Sequence, residues 1–242
     1  MVRFSCEKAL LQQAVSAVSR AVAAKSSIPA LEGILLECED GLRLSGYNMQ
    51  TGIRTTVDAE VQEAGRIVLN ARLFGEMIRR LPDDMVTVIQ GKRHLLFEAG
   101  STQLICRRLE GEFLDYKNAI PKNNPISVEV DNKVMIESLD RVSVVISEKL
   151  KSPVRCVFSR DRVFMSARTG NGEARDICPI RGDGQELEIG FNNRYLMDAL
   201  RYAPAETVKM QLNTGISPCI ITPVDDSDSF LYMVLPVRLK AQ

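Results

Sequence analysis

Four arginines recur in two pairs of equal spacing, a pattern that suits contact with phosphates. Arg72 and Arg79 are seven positions apart, as are Arg194 and Arg201, and 122 residues separate the pairs. A spacing of seven places both members of a pair on one face of a helix. A guanidinium group presents N–H donors in a fork that matches phosphate oxygens. Further basic residues are expected on these helices or near helix ends, namely Arg20, Lys25, Arg80, Arg141, Lys149 and Lys151.

Charge alone does not establish such a surface, because a solvated helix face has the same composition. Glu76 and Asp198 lie at helical spacing from basic neighbours and can partner them. The recurrence of the arginines at equivalent positions favours a surface for phosphates. Charge by itself favours the solvated face.

Signals for catalysis are weak throughout the sequence. His94 is the single histidine, which excludes histidine-based triads and two-histidine metal sites. The run Thr169–Gly172 resembles part of a glycine-rich phosphate loop, but the full spacing and a following helix are missing, which favours a turn between strands. The acidic runs Asp83–Asp84 and Asp225–Asp228 lack EF-hand spacing, which favours solvated loops. We therefore expect no enzymatic activity, no metal and no cofactor.

The elements that carry the arginines belong to a duplicated unit. Residues 68–90 align without gaps on 190–212, and each copy reads as a helix cap, a helix, a proline stop and a strand. The predicted N-caps are Asn70 and Asn192, and the predicted stops are Pro82 and Pro204. Apolar positions at helical spacing are Phe74, Met77, Ile78 and Leu81 in one copy and Leu196, Ala199, Leu200 and Ala203 in the other.

The rest of the chain repeats around this unit. Each copy is predicted to contain a first helix, a hairpin and two closing strands. These elements are assigned to 8–22, 34–46 and 94–109 in one copy, and to 133–146, 155–167 and 217–239 in the other. Leu10 is expected on the buried face of the first helix. The chain is therefore predicted to be α+β, with domains at 1–121 and 122–242 and a linker at 109–124.

Composition bounds the class of protein. The 242 residues suit two domains of about 120 each; 45% are hydrophobic, 26% are charged, and the formal net charge is zero. Zero net charge argues against a protein coated with basic charge, but it permits basic residues that all face one way. The first residues do not read as a secretory signal, and no apolar run reaches membrane-spanning length. Six scattered cysteines without a C-x-x-C pair indicate reduced thiols, so we expect a cytoplasmic protein.

The C-terminal run Leu231–Leu239 is apolar beyond what one strand needs. No polar side chain interrupts Met233–Val237. The run predicts either a buried last strand or an exposed groove beside Tyr195 that accepts a partner peptide.

Several motifs together resemble the bacterial sliding clamp family, the DNA polymerase III beta subunit. They cover nearly the whole chain: S-S-I-P-A-L-E-G-I-L-L-E (26–37), G-Y-N-M-Q-T-G-I-R-T-T-V (46–57), V-L-N-A-R-L-F-G-E-M-I-R-R-L-P-D-D (68–84), E-G-E-F-L-D-Y-K-N-A-I-P (110–121), S-E-K-L-K-S-P-V-R (147–155), E-I-G-F-N-N-R-Y-L-M-D-A-L (188–200) and Y-M-V-L-P-V-R-L (232–239). The resemblance implies two tandem copies of the DNA-clamp fold, each with two helices packed on antiparallel sheets. It also implies that helices line a ring around duplex DNA and that the basic residues named above contact phosphates without reading sequence.

The chain departs from the family in its number of domains. The family has three such domains, and this chain has room for two. Residues 95–121 resemble the end of the family's middle domain. The first predicted domain therefore resembles a first domain joined to that end at about residues 85–95, and an intact last domain follows.

The resemblance also implies binding residues at positions that match its motifs. The implied peptide groove consists of Leu114, Ala119, Leu150, Asn192, Tyr195, Ile216, Pro218, Met233, Val234, Leu235, Pro236, Val237, Arg238 and Leu239. The implied subunit interface pairs a strand bearing Leu104 and Cys106 with a helix end bearing Val144 and Val145.

The implied function is that of a non-enzymatic processivity clamp that encircles duplex DNA and tethers the replicative polymerase. Its implied partners are duplex DNA and, through clamp-binding peptides, DNA polymerase III subunits and the clamp loader. The alternative is an adaptor that binds the same peptides without encircling DNA. Because six domains complete the family's ring, two-domain subunits are expected to associate head-to-tail, as a trimer in preference to a dimer.

Overall fold

The duplication in the sequence is matched by the order of secondary-structure elements. The structure is a computed structural model that describes residues 1–82, 85–146, 152–182 and 185–239. The chain divides into two compact units, Met1–Tyr116 and Lys117–Gln242. Apart from short 3₁₀ turns, the described residues of each unit form a strand, a helix, five strands, a second helix and three strands, in that order. The division falls five residues before the expected boundary between 121 and 122.

The first unit consists of two antiparallel sheets and two helices. Its strands are β1 (Arg3–Glu7), β2 (Gly33–Cys38), β3 (Leu42–Tyr47), β4 (Thr51–Val57), β5 (Glu60–Glu63), β6 (Gly65–Asn70), β7 (Met85–Gln90), β8 (His94–Ala99) and β9 (Thr102–Arg107), and its helices are α1 (Lys8–Val18) and α2 (Ala71–Arg80). Strands β5, β1, β7, β8 and β9 are hydrogen-bonded in that order. Strands β4, β3, β2 and β6 are hydrogen-bonded in a second series.

The second unit repeats this topology. Its strands are β10 (Ile126–Asp131), β11 (Val154–Phe158), β12 (Arg162–Thr169), β13 (Gly172–Pro179), β14 (Arg181–Gly182), β15 (Leu187–Phe191), β16 (Thr207–Leu212), β17 (Cys219–Pro223) and β18 (Phe230–Val234), and its helices are α3 (Asn132–Ser143) and α4 (Asn193–Arg201). The order β14, β10, β16, β17, β18 matches the first series of the first unit. The order β13, β12, β11, β15 matches the second series.

The predicted helix caps are confirmed at both copies of the repeat. Asn70 Oδ1 accepts a hydrogen bond from the backbone N–H of Leu73 at 3.0 Å. Asn192 Oδ1 accepts one from Arg194 at 3.0 Å. Each bond satisfies one of the N–H groups that the first turn of a helix leaves without an intrahelical partner. Both helices end before their prolines, α2 at Arg80 and α4 at Arg201.

The buried helix faces follow the predicted spacing with one exception. All the apolar positions predicted for α2 and α4 are buried. In α1, Leu11, Val15 and Val18 are buried, whereas Leu10 is 37% exposed, so its predicted burial is wrong. Residues four and seven after Leu11 share its face, and Leu10 lies about 100° away at the edge of that face. The helix also ends at Val18, before the predicted end at 22, and continues as a 3₁₀ turn.

The predicted hairpins at 34–46 and 155–167 are confirmed as β2–β3 and β11–β12. The run 169–172 is a turn between β12 and β13, as its residue types predict. The bounds of strands β5 and β13 were not predicted, although the turn at 169–172 was expected to lie between two strands. Both are edge strands of the described sheets and carry several charged side chains, so they lack the apolar alternation that reveals a strand with one buried face.

In each unit a closing segment follows the last strand, residues 108–116 in the first unit and 235–239 in the second. Each segment forms a hydrogen bond with an earlier strand of its own unit, and these two strands occupy equivalent places in the repeat. The N–H of Leu109 donates to the carbonyl of Val68 on β6 at 2.9 Å. The N–H of Val237 donates to the carbonyl of Gly190 on β15 at 2.8 Å. Val68 and Gly190 are separated by 122 residues, so the repeat extends to this contact.

Two further features concern the class of protein. In the described parts of the chain, no helix is both long and apolar enough to cross a membrane. All six cysteines are buried and free.

Candidate nucleic-acid and peptide sites

On α2, the predicted phosphate contacts compete with an acidic neighbour. Arg72, Arg79 and Arg80 are exposed. Arg79 Nη2 donates to Glu76 Oε2 at 2.7 Å, and Arg80 Nη1 donates to the same oxygen. The hydrogen bond from Arg79, with a smaller contribution from Arg80, lowers the pKa of Glu76. Arg72 forms no ion pair with any described residue, so it is the α2 arginine most available to a phosphate.

On α4, the equivalent arginines have looser acidic neighbours. Arg194 Nε lies 3.8 Å from Asp198 Oδ2, and Arg201 Nη2 lies 3.8 Å from Asp140 Oδ1 on α3. Both arginines are exposed. Exposed ion pairs of this length contribute little free energy, so a phosphate can replace the carboxylate at small cost.

Arg141 on α3 has a stronger structural contact. Its Nε donates to Asp176 Oδ2 on β13 at 2.7 Å, and Ser138 Oγ donates to the same oxygen at 2.7 Å. Partial burial raises the pKa of Asp176, but hydrogen bonds from Ser138, the N–H of Ile177 and Arg141 outweigh it, so the pKa is lowered overall. Arg141 therefore ties α3 to β13 and is less available to DNA than Arg194.

The remaining basic residues predicted to face DNA fall into two groups. Arg20 and Lys25 are exposed in the first unit, in and after the 3₁₀ turn that follows α1. Lys149 and Lys151 lie outside the described residues, as does Leu150 of the predicted peptide groove.

The C-terminal run is partly a buried strand and partly a surface segment. Met233 and Val234 are fully buried in β18. Leu235, Pro236, Val237 and Leu239 are half-buried, and Arg238 is exposed. The prediction of a buried last strand therefore applies to Met233 and Val234, and the prediction of a peptide-binding surface applies to residues 235–239.

The other groove residues of the second unit lie on α4 and on the loop between β16 and β17. Asn192, Tyr195 and Pro218 are half-buried, whereas Ile216 is 80% exposed. The half-buried Leu114 belongs to the first unit and the half-buried Ala119 to the second.

The backbone beneath the closing segment of the second unit is tightly packed. A Cβ on Gly190 would lie 2.6 Å from the carbonyl oxygen of Val237 and 2.7 Å from Leu239 Cδ2. Glycine at this position therefore allows residues 237–239 to approach β15, which fixes the surface they present.

The predicted interface residues differ in exposure. Leu104 on β9 is half-buried and Cys106 is buried, with its pKa raised by burial. Ile105 between them is 67% exposed and was missed, although alternation along a strand turns it to the opposite face. Val144 is 80% exposed, whereas Val145 is half-buried and its carbonyl accepts a hydrogen bond from Thr169 Oγ1 at 2.9 Å.

Candidate metal ligands do not converge within the described ranges. No group of three or more His, Cys, Asp or Glu side chains there could hold a metal ion. His94 is exposed at the start of β8.

Comparison with known proteins assigns both units. The family model for the DNA polymerase III beta subunit, N-terminal domain, matches residues 2–121, and the model for the DNA polymerase III beta subunit, C-terminal domain, matches residues 117–238. The N-terminal-domain match extends over residues 95–121, for which the sequence resemblance implied the end of the family's middle domain; that implication stays a prediction. Both units therefore have the clamp fold.

Relatives with the same fold are longer than this chain. The beta sliding clamp of Synechocystis sp. is 33% identical over 185 residues, which are 72% of this chain and 46% of the relative. That of Chlamydia muridarum is 26% identical over 243 residues, which are 98% of this chain and 65% of the relative. A crystal structure of the DNA polymerase sliding clamp from Pseudomonas aeruginosa matches with a TM-score of 0.90 at 25% identity, over 98% of this chain and 66% of that one. The chain spans about half to two thirds of the length of these proteins, and it belongs to the DNA polymerase III beta subunit family.

Proposed function

We propose that this protein is a DNA sliding clamp that holds duplex DNA and tethers a replicative polymerase. The carrying observation is the recurrence of exposed arginines on equivalent helices of two clamp domains. Arg72 corresponds to Arg194 and Arg79 to Arg201, on α2 and α4. The two domains proposed for this role are 1–121 and 122–242.

The proposed contact with DNA is weak and independent of sequence. Arginines on helix faces neutralise phosphates and release counterions, which carries no information about the bases. Glu76 and Asp198 compete with phosphates for the same arginines, so each contact can be exchanged for an intramolecular one. Exchange of this kind suits a protein that moves along the duplex. Tethering needs no bond to be made or broken, so we propose no enzymatic activity, and work on chromosomal DNA would place the protein in the cytoplasm.

Charge reversal on the helices tests this proposal. The double variant Arg72→Glu/Arg201→Glu should reduce retention on circular duplex DNA at least about tenfold, because each lost phosphate contact removes a salt-dependent contribution. The matched control is Arg160→Glu/Arg168→Glu, which makes the same charge change at exposed arginines outside the helices. Equal retention of both variants, or unfolding of the helix variant by circular dichroism, would count against the proposal.

Partner proteins are proposed to bind the second domain through short apolar peptides. Leu235, Pro236 and Val237 present half-buried apolar surface, and Ile216 presents exposed apolar surface. These residues, with Asn192 and Tyr195, constitute the proposed groove for DNA polymerase III subunits and the clamp loader. Peptide recognition of this kind depends on a few apolar anchors that enter a preformed surface.

A ring is proposed to form by head-to-tail association of two-domain subunits. Exposed Ile105 on β9 and exposed Val144 after α3 supply apolar surface for such contacts, beside Leu104 and Cys106 and beside Val145. Three subunits give the six domains of a closed ring, with a mass of about 81 kDa, three times 26.9 kDa. Light scattering distinguishes this trimer from a dimer of about 54 kDa, twice 26.9 kDa. A mass that stays monomeric at high concentration and low salt would favour the non-encircling adaptor.

A further inference from the structure

A group of basic side chains outside the helices lies at one end of the first unit. It consists of Lys92, Arg93 and His94 in and after the β7–β8 turn, and Arg107 and Arg108 at the end of β9; we name these five residues the basic turn cluster. All five are exposed. None belongs to the helix surfaces assigned to DNA above.

The sheet register brings the cluster together. His94 and Arg107 are direct partners across β8 and β9. The N–H of Arg108 donates to the carbonyl of Arg93 at 3.3 Å. Directly paired residues of adjacent antiparallel strands have Cα atoms about 4.5 to 5.5 Å apart, so the register brings the two halves of the cluster close together.

No intramolecular ion pair neutralises the charged side chains of the cluster within the described ranges. The side chains of Lys92, Arg93, Arg107 and Arg108 form no ion pair with a described residue. Glu110 lines a cleft together with Arg108 but forms no ion pair with it. The cluster therefore presents four uncompensated positive charges to solvent.

The clamp fold does not require these charges. The equivalent turn of the second unit, between β16 and β17, reads Asn213–Pro218 and contains no Lys, Arg or His. The residues at the end of β18, Val234 and Leu235, are also uncharged. The cluster is thus a property of one unit only, which the fold itself does not explain.

We propose that the basic turn cluster is a second phosphate-binding surface that contacts the backbone of duplex DNA. The ligand is taken from the proposed function, and the inference rests on it to that extent. The five side chains of the cluster are basic, which suits phosphate contact, since protein interfaces take most of their free energy from apolar and aromatic anchors. Exposed Ile105, two residues before Arg107 on the same face of β9, is assigned above to contacts between subunits. Protection of an edge strand would account for Arg107 on β9 but not for Lys92 and Arg93 in the turn.

The test measures binding of a short linear duplex by fluorescence anisotropy at several salt concentrations. Arg93→Glu/Arg107→Glu should weaken binding by at least about tenfold and reduce the slope of log affinity against log salt by about 1.8, since each lost phosphate contact reduces it by about 0.9. If charge reversal disturbs the fold, the neutral variant Arg93→Gln/Arg107→Gln replaces it. This variant should weaken binding in the same direction but by less. The control, Arg160→Glu/Arg168→Glu, should keep the wild-type slope.

His94 supplies a direct readout, because it is the single histidine of the chain. Its imidazole proton signals in a nuclear magnetic resonance spectrum should shift when the duplex is added to wild-type protein. Wild-type affinity and slope in the cluster variants, together with unmoved His94 signals, would overturn the inference. If, in that case, Arg72→Glu/Arg201→Glu still weakens DNA binding, the proposed clamp function stands and only the role of the basic turn cluster is overturned. Wild-type protein that fails to bind DNA at low salt would overturn both.

Polyglutamate serves as the second probe. If the cluster selects phosphates, polyglutamate of matched charge should shift the His94 signals less than the duplex does and should compete poorly with it. Equal competition would show that the cluster accepts an acidic protein segment, which would overturn the assignment to nucleic acid.

Discussion

The β7–β8 turn of the first unit and the β16–β17 turn of the second occupy the same place in one fold but carry different chemistry. The first presents Lys92 and Arg93, whereas the second presents Ile216, which is 80% exposed. Their flanking strands have the same order and the same antiparallel pairing. The fold therefore constrains the strands and leaves the turns free to diverge. We propose that the two turns serve different ligands, the charged turn of the first unit DNA and the apolar turn of the second unit peptides.

Core substitutions at equivalent positions have the largest expected effect. They test whether equivalent buried side chains contribute similarly to the free energy of unfolding of the two units. Phe74 and Leu196 are 122 residues apart and fully buried, and the ring of Phe74 lies 5.7 Å from that of Phe97. Phe74→Ala should destabilise its unit by about 3 to 5 kcal/mol and Leu196→Ala by about 2 to 5 kcal/mol, because each leaves a cavity. Differential scanning calorimetry should show a loss in the transition of the altered unit. A loss below about 1 kcal/mol in either variant would contradict equivalent cores.

Substitutions beneath the closing segments have an expected effect of intermediate size and compare the two units at one equivalent contact. Gly190→Ala places a methyl group against the carbonyl of Val237, so it should cost about 1 to 3 kcal/mol and displace residues 237–239. Peptide binding to the second unit should weaken as a result, measured by isothermal titration calorimetry. The control Val68→Ala changes the equivalent position of the first unit, where Leu109 is the partner, and should leave peptide affinity unchanged. Peptide binding that survives Gly190→Ala would show that the closing segment does not form the groove.

The helix caps give the smallest expected effect and the most closely matched pair. Asn70→Ala removes the hydrogen bond from Leu73 N–H, and Asn192→Ala removes those from Arg194 N–H at 3.0 Å and Tyr195 N–H at 3.5 Å, so each should cost about 1 kcal/mol in urea denaturation. The two substitutions should nevertheless differ in function, because Asn192 belongs to the proposed groove and Asn70 does not. Equal peptide affinity in the two variants would limit Asn192 to its role as a cap.

Much of the fold was predictable because the same helix caps and the same apolar spacing occur in both copies of the repeat. Asn70 and Asn192 are N-caps in the structure, and the buried faces of α2 and α4 follow their apolar spacing. The bounds of strand β13 escaped prediction because Asp176 serves as a hydrogen-bond acceptor for Ser138 and Arg141 on α3, where an apolar residue would have marked the strand. Partners of that kind are distant in the sequence, so no local pattern contains them.

The candidate sites were less predictable than the fold. The sequence located the arginines of α2 but could not show that Arg79 and Arg80 share Glu76 while Arg72 has no ion-pair partner among the described residues. Likewise, composition marked 233–237 as one apolar run, although Met233 is fully buried and Leu235 is half-buried. The basic turn cluster was missed because its two halves are separated by β8 and β9 and meet only through their register.

The closing segment of the first unit bears on how the nascent chain folds during translation. Leu109 bonds to Val68, and the buried hydroxyl of Tyr116 lies 3.0 Å from Ser45 Oγ. Both contacts join the end of the unit to strands synthesised much earlier. At about 5 to 20 residues per second, roughly 6 to 23 seconds pass before Tyr116 is added. Until then the outer edge of β6 and the hydroxyl of Ser45 lack their partners, so the first unit completes its packing only after the ribosome has released residue 116.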